Sequence, residues 1–466
     1  MARTAQPART VSRSVASSPG RLFDLHAQWP HRYPALLESA ARAENLGRYD
    51  LLFACPTACV ARFSDGTLTS TGDAPPVSPT GAFLDALELF TRPDQAARSE
   101  SHLPFSGGWV VFVAYEIAAE IEARLSLPRT PEPTLEAVAL RIPAAAVYEH
   151  ETGTLQLVAE RGFERALEQV AADLESCPRT EPSRSRMQLD VVEDAPQRYL
   201  DAVRRAQEYI RAGDVYQVNL SRGWFARGRT RADLPGFAAT YAALRSANPA
   251  PFAASLVLGN HAILSSSPER LCRLRDGVIT TRPIAGTRPR TRRPGADAEE
   301  KSLLAAHPKE RAEHVMLIDL ERNDLGRLCT PGSVRVDEFM TLESYEHVHH
   351  IVSNVTGTLR DDVTLASVLR AVFPGGTITG CPKVRCMQII AELEGVARGA
   401  YTGSIGYLNR DGSGDFNILI RTMTLSPAGI SLRAGAGIVA DSDPERELEE
   451  TRAKARGLLR ALGQDT

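Results

Sequence analysis

Strand-forming runs joined by loops, not by helices, fill the first third of this chain. RYDLLFA (48–54), GGWVVFVAYEI (107–117), AAAVYEH (144–150) and GTLQLVAE (153–160) are rich in aromatic and β-branched residues, and Pro, Ser and Gly dominate between them. A parallel pair needs a crossover of about a dozen residues or more, usually helical, so these runs predict antiparallel pairing. An amphipathic helix is expected over 162–176 and a polar linker at 177–190, which includes CPRTEPSRSR. A second region, 191–462, opens with the helix APQRYLDAVRRAQEYIRAG. Strands follow in VYQVNLSRGWFA, FAASLVLGNHAILSSSPE, 334–359 and 401–439, with further helices near 308–322, 364–372, 382–394 and 444–462. The pattern reads as α+β: large, mostly antiparallel sheets packed as a two-lobed sandwich, helices outside, the lobes being 21–176 and 191–462.

The composition, 43% hydrophobic and 24% charged over 466 residues, is that of an ordinary soluble globular protein. A formal net charge of -3 argues against a nucleic-acid partner, which demands a basic face. No apolar run reaches the ~18 residues of a membrane span, so no membrane association is expected. Seven cysteines, an odd number, suggest no disulfide framework, and Cys55 and Cys59 lack a second pair for zinc. Reduced thiols in a cytoplasmic protein are expected. The first twenty residues, rich in Arg, Ser and Ala and without acids, suit either a transit peptide or a disordered tail; we read 1–20 as a tail.

Several stretches carry groups capable of chemistry. In TRPIAGTRPR (281–290), prolines and a glycine exclude a regular helix or a central strand, and Arg282, Thr287, Arg288 and Arg290 crowd a turn with donors suited to carboxylates. In PKERAEHVMLIDLERND, Glu310 and Glu313 share a helix face; in DPERELEETRAKARGLL, Glu447, Glu450 and Lys454 do the same. Two such helices can hold one hard cation such as Mg2+, or they are solvated faces with Glu–Lys and Glu–Arg pairs. FPGGTITGCPKVRCM leads a loop into a helix and offers backbone N–H groups near Thr377 and Gly380 to an anion, without the spacing of a phosphate loop. RAGAGIVAD allows either close backbone approach to a ligand or a bulged strand. In YEHVHHIVSN, His347 and His349 fall on one strand face and His350 on the other, so one histidine, not three, faces a pocket. Glu269, in SSSPER, is a general acid if its carboxyl is buried, or half of a strand-end ion pair with Arg270.

Read together, these stretches resemble the chorismate-utilising enzymes: anthranilate synthase component I, aminodeoxychorismate synthase component I, isochorismate synthase and salicylate synthase. The resemblance runs from about Asp194 to Leu462 through DVYQVNLS, SPER, RPIAGTRPR, KERAEHVMLIDLERNDLGR, HHIVSNVTG, FPGGTITGCPKVRCM, YTGSIGYL, ILIRT, AGAGIVADS and ELEETRAK. Residues 33–60 resemble, less tightly, the amino-terminal lobe of the two amine-forming members.

The resemblance implies an anthranilate synthase component I-like fold and chorismate as the anion. One substrate carboxylate would rest on Tyr401, Arg421 and the backbone at Gly435 and Gly437. The other would be reached through Mg2+ and Lys454, with the metal on Glu310, Glu313, Glu447 and Glu450. Glu269 matches the acid that protonates the departing C4 hydroxyl, and Thr287, His350 and Thr377 match groups around the ring. Water-using members carry a lysine base where Gln217 stands, and an amide cannot deprotonate water, so ammonia is the implied nucleophile. None of the seven cysteines has a glutaminase setting; ammonia is expected from a separate glutamine amidotransferase subunit or from free ammonium. Ala285 replaces the lysine of the usual aminodeoxychorismate PIKGT pattern and favours anthranilate. GRYDLLFA, APFAASL, GTITGCPKVRCM and the compact length favour 4-amino-4-deoxychorismate, which is the expectation adopted. A non-catalytic subunit of the same fold is the remaining alternative, disfavoured by Glu269, Lys454 and the four glutamates.

Overall fold

The computed structural model describes residues 10–464 except 42–46, 92–101, 131–132, 181–188, 229–235, 291–294, 296, 298–300, 305–307 and 345–347; the side chains of 285, 287–289, 308–309 and 348 are also outside the description. Two large antiparallel sheets form the frame. One runs, in spatial order, through Thr10–Val15, Thr154–Glu160, Ala144–Glu149, Tyr49–Ala54, Ala35–Glu38, Phe252–Leu258, His261–Ser267, Thr422–Ser426, Gly429–Ile438, Gln217–Arg227 and Asp190–Glu193, with Gly380–Cys381 added on Gln217–Arg227. The other runs from Ile284–Pro289 through Val348–Thr358, Val278–Thr281, Arg270–Arg275, Gly414–Asn417, Ser404–Asn409, Gly108–Val113, Leu135–Ile142 and Ala58–Phe63 to Leu68–Gly72, with Arg335–Ser344 on Val348–Thr358.

Three apolar layers explain the stacking. Phe53, Ala254 and Ile263 of the first sheet meet Val110, Phe112, Val138 and Ile405 of the second in a central core. The outer face of the first sheet is covered by the helices Gly20–Gln28, Glu164–Ser176, Phe237–Ala247 and Pro444–Ala461, which supply Leu22, Leu174, Tyr241 and Leu458. Phe83–Phe90, Pro308–Gly326 and Leu365–Val372 cover the outer face of the second with Leu84, Ile318 and Leu369. This is the expected α+β sandwich with helices outside.

The helices expected near 162–176, 308–322, 364–372, 382–394 and 444–462 form as Glu164–Ser176, Pro308–Gly326, Leu365–Val372, Lys383–Glu394 and Pro444–Ala461. Gly20–Gln28, Phe83–Phe90 and Phe237–Ala247 were not expected. None is capped by the side chain of its own N-cap residue, and each is about three turns long or less, so local signals are weak and tertiary contacts supply the stability.

Two boundaries need correction. The expected tail 1–20 contains, from Thr10, a strand paired with Thr154–Glu160, and Val11 and Val15 pack on the core. Val11 and Val15 fall on one face of the strand, which suffices to seat an edge strand. The two sequence regions also share both sheets: Ala35–Glu38 pairs with Phe252–Leu258, and Gly108–Val113 with Ser404–Asn409. All six residues of GWVVFV are buried, so that strand requires neighbours on both edges. All seven cysteines are free. Among the described residues, no helix is long and apolar enough to cross a membrane.

Candidate active site

The site begins with two adjacent strands. Gln217–Arg227 and Gly429–Ile438 pair antiparallel without a register shift, Asn219 opposite Gly437 and Ser221 opposite Gly435. A Cβ on Gly437 would lie 2.3 Å from Gln217 Nε2, and one on Gly435 would lie 2.7 Å from the Tyr401 hydroxyl oxygen and 2.9 Å from Asn219 Oδ1. The glycines of AGAGIVAD therefore make room for three polar side chains over bare backbone, and no bulge is present. Gln217 donates through Nε2 to Glu313 Oε1 at 2.8 Å, and its own oxygen is a buried acceptor with no partner among the described residues. The Asn219 oxygen is in the same condition.

Glu269 follows the His261–Ser267 strand and is buried. Arg270 does not pair with it; that guanidinium makes a two-pronged contact with Asp415 at 2.8 and 2.9 Å. The ion-pair alternative for Glu269 thus falls away. Thr377 Oγ1, on the short turn Gly376–Ile378, donates to Glu269 Oε1 at 2.7 Å. Burial pushes the carboxyl up to about 7, against the Thr377 hydrogen bond and the charges of Lys454 and Arg421, which favour ionisation. Tyr401 also senses Glu269; burial raises its phenol to about 12, so it stays a neutral donor. Thr377 therefore touches one buried acid, and Lys454, Arg421 and Tyr401 lie within electrostatic range of it.

Arg421 sits in a left-handed turn at φ 51°. Burial lowers its basicity while Glu269 opposes that trend, and its guanidinium makes no hydrogen bond or ion pair with a described residue. Such a cation is a ready receptor for a ligand carboxylate. Lys454 Nζ donates to the Gly435 carbonyl at 2.9 Å and pairs with Glu450 at 2.8 Å.

TRPIAGTRPR forms the edge strand Ile284–Pro289, with a register shift between Ala285 and Thr287 and Gly286 at φ +67°. A Cβ on Gly286 would meet Glu310 Oε2 at 2.8 Å, so this glycine admits the first helix glutamate to the strand. Ala285 and Thr287 pair through their backbones with Ile351 and His350; their side chains lie outside the described set. Two arginines of the bracket expected here already have carboxylate partners. Arg282 is held by Glu338 and Glu343, and Arg290 lies 3.6 Å from Asp297. Neighbouring carboxylates reach these cations first, and Arg288 lies outside the described side chains.

His350 is buried, with Nδ1 3.3 Å from the Gly286 carbonyl oxygen. A carbonyl only accepts, so Nδ1 carries the hydrogen and Nε2 keeps a lone pair. Burial lowers this imidazole to about 4, which leaves it neutral at pH 7. His349 points elsewhere, to Asp297 and Ser344 at 2.9 Å each, and His347 lies outside the described residues. The loop of FPGGTITG offers its Thr377 hydroxyl to the site. Gly380, at φ +127°, serves close pairing, because a Cβ there would lie 2.1 Å from the Gln217 carbonyl oxygen.

The helix glutamates approach the site at different places, Glu310 at Gly286 of the edge strand. Glu313 reaches Gln217, and Glu450 reaches Lys454 at Gly435; Tyr199, buried, senses both Glu447 and Glu450. Their all-oxygen donor chemistry suits Mg2+. Among the described residues, however, no three acidic, histidine or cysteine side chains are gathered closely enough to hold a metal. A separate cavity of about 940 Å3 opens beside Leu37, Glu38 and Ser39, together with Tyr49 and Asp415, and touches none of Gln217, Glu269, Thr377, Tyr401, Arg421 and Lys454.

Sequence reasoning passed over Arg398, Glu394 and Glu116, which lie behind Tyr401. Only a Glu–Arg pair four residues apart in ELEGVAR hinted at them, and Gly395 ends the helix between the two at φ 59°.

Comparison with known proteins gives this geometry its context. Residues 49–460 match the family model described as chorismate binding enzyme. The chain is 37% identical to anthranilate synthase component 1 of Aquifex aeolicus over 453 residues, 92% of this chain and 89% of that protein. It is 38% identical to aminodeoxychorismate synthase component 1 of Bacillus subtilis over 444 residues, 92% of each. The solved anthranilate synthase component I of Streptococcus pneumoniae matches with a TM-score of 0.77 and 31% identity over 88% of this chain and 92% of that one. The chain belongs to the chorismate binding enzyme family.

Proposed function

We propose that this enzyme converts chorismate and ammonia to 4-amino-4-deoxychorismate and water, as a component I that serves para-aminobenzoate and folate synthesis in the cytoplasm. The observation that carries the reading is Glu269: a buried carboxyl raised to about 7 and ringed by Thr377, Lys454, Arg421 and Tyr401. The C4–O bond breaks as Glu269 protonates the departing hydroxyl, the C4–N bond forms, and the nitrogen sheds a proton. His350, neutral and held through Nδ1 by the Gly286 carbonyl, is suited to accept that proton at Nε2. Arg421 and Tyr401 receive one substrate carboxylate. Gln217, an amide fixed by Glu313, supports ammonia and not water as nucleophile because it is no base.

The family resemblance assigns Mg2+ to Glu310, Glu313, Glu447 and Glu450, helped by Lys454 at the second carboxylate, and holding the ion would require these side chains to be drawn closer together than they stand. When bound, the ion would neutralise that carboxylate and fix its position. Ala285 favours the alternative product, anthranilate with pyruvate.

The test is product analysis of chorismate, ammonium and Mg2+ with the purified chain. The expected outcome is 4-amino-4-deoxychorismate, with pyruvate released only after a lyase is added. Anthranilate and pyruvate from the chain alone would assign the alternative. Ammonium should support turnover through its free NH3, which grows with pH until Glu269 ionises near 7, and glutamine only when a separate amidotransferase is present; glutamine-dependent turnover by the pure chain would overturn that arrangement.

A further inference from the structure

Behind Tyr401 lies a buried cation that the reaction above does not use. Arg398 is 4% exposed, and all five of its guanidinium N–H donors are engaged. Nε and Nη2 donate to Glu394 at 3.1 and 2.6 Å. Nη2 also donates to the Asn219 carbonyl at 2.7 Å, while Nη1 donates to the Ile378 carbonyl at 3.0 Å and Thr402 Oγ1 at 3.4 Å. The guanidinium lies over the Tyr115 ring at 4.8 Å and the Tyr401 ring at 5.7 Å. Glu394 is further held by Ser221 and Arg433.

Each contact lies beside a group of the site. Ile378 adjoins Thr377, the hydroxyl on Glu269, and Tyr401 is the proposed carboxylate rest. Asn219 stands two residues from Gln217 on the same strand face. The backbone that presents Arg398 is fixed from the N-terminal half of the chain: the N–H groups of Arg398 and Gly399 donate to Glu116 at 2.7 and 3.1 Å, and Tyr115 N–H donates to the Gly399 carbonyl at 3.0 Å.

We propose that Arg398 is a positioning residue that sets the distance between the Thr377–Glu269 proton donor and the Tyr401 carboxylate rest, and that Glu116 fixes Arg398 in turn. The proposal rests on the reading that chorismate is bound and turned over at this site. It gives the N-terminal region a part in catalysis although it places no group on the substrate. Lysine cannot replace this arginine, because an ammonium has three donors and no plane to stack.

The test compares Arg398→Lys with the wild-type full-length chain in chorismate consumption with ammonium and Mg2+, alongside thermal melting. We expect a folded variant whose kcat/KM for chorismate falls roughly 100-fold, the scale of a small misplacement of reacting groups. The high-pH limb of kcat should also move upward. Thr377, Lys454 and Arg421 favour the ionised form of Glu269, whereas Tyr401 and Glu321 also sense its charge, and a slackened Ile378 contact weakens the Thr377 bond alone. A folded variant within threefold of wild type and with an unmoved limb would overturn the proposal.

Should Arg398→Lys fail to fold, Glu116 decides. Glu116→Gln still accepts from both N–H groups and should work normally, whereas Glu116→Ala should be slow; normal turnover in both overturns the proposal. Wild-type turnover reports separately on the assigned reaction. In its absence, the ratio of chorismate dissociation constants by calorimetry, weaker in Arg398→Lys or unchanged, supports or overturns the positioning role.

Discussion

Thr377 Oγ1 and Glu269 Oε1 lie 2.7 Å apart, the hydroxyl donating. Because Oε1 is the accepting oxygen, the acidic proton belongs on Oε2, which has no partner among the described residues. One oxygen fixes the carboxyl, and in the proposed reaction the other would deliver the proton.

Glu269→Gln keeps the size of the side chain but cannot protonate a leaving hydroxyl. Turnover should fall by ~10²–10⁴ with chorismate binding retained, and near-normal turnover would make Glu269 structural. In the wild type, activity that needs the protonated form declines as pH rises through about 7.

The same group makes stability pH-dependent. Its folded value, about 7, lies above the ordinary 4.5, so its contribution is fully present below 4.5 and is lost as pH rises through 7. The loss is on the order of 3 kcal/mol. Thermal melting at pH 5 and pH 8 should therefore show a smaller drop for Glu269→Gln than for the wild type, and equal drops would mean the carboxyl is not perturbed.

Glu310→Gln and Glu450→Gln each remove a charge while preserving shape. If these side chains help hold Mg2+, titration of turnover against Mg2+ should show a raised requirement in both variants. An unchanged requirement would return the two helices to solvated faces carrying the Gln217–Glu313 and Lys454–Glu450 contacts.

Gly437→Ala would drive a methyl carbon to 2.3 Å from Gln217 Nε2, so Gln217 must leave Glu313. Gly437 has no left-handed backbone to strain, so folding should survive while the KM for ammonium rises about tenfold, the scale of one lost hydrogen bond to a charged group. An unaltered KM for ammonium would remove Gln217 from nucleophile recognition.

Ala285 offers only a methyl group at the place where relatives are expected to carry a lysine nucleophile. Intact-protein mass spectrometry of the enzyme quenched during turnover should show no chorismate-derived adduct. A mass increase would reveal a covalent route through another side chain.

The sequence by itself determined the elements and the candidates. Apolar periodicity marked the Pro308–Gly326 and Pro444–Ala461 helices and the long strands, because side-chain spacing along a helix or strand is local information. Motif order named Glu269, Thr377, Tyr401, Arg421 and Lys454, which the fold brings around one buried carboxyl. Tertiary structure alone decided the partners. Arg282 looked open to a substrate carboxylate until the Arg335–Ser344 strand laid Glu338 and Glu343 against it. Arg398 looked ordinary until Glu116, 282 positions earlier, closed on its backbone. Which charge meets which depends on strand order and on how deeply each pair is withdrawn from water, and neither quantity is written in the spacing of residues along the chain.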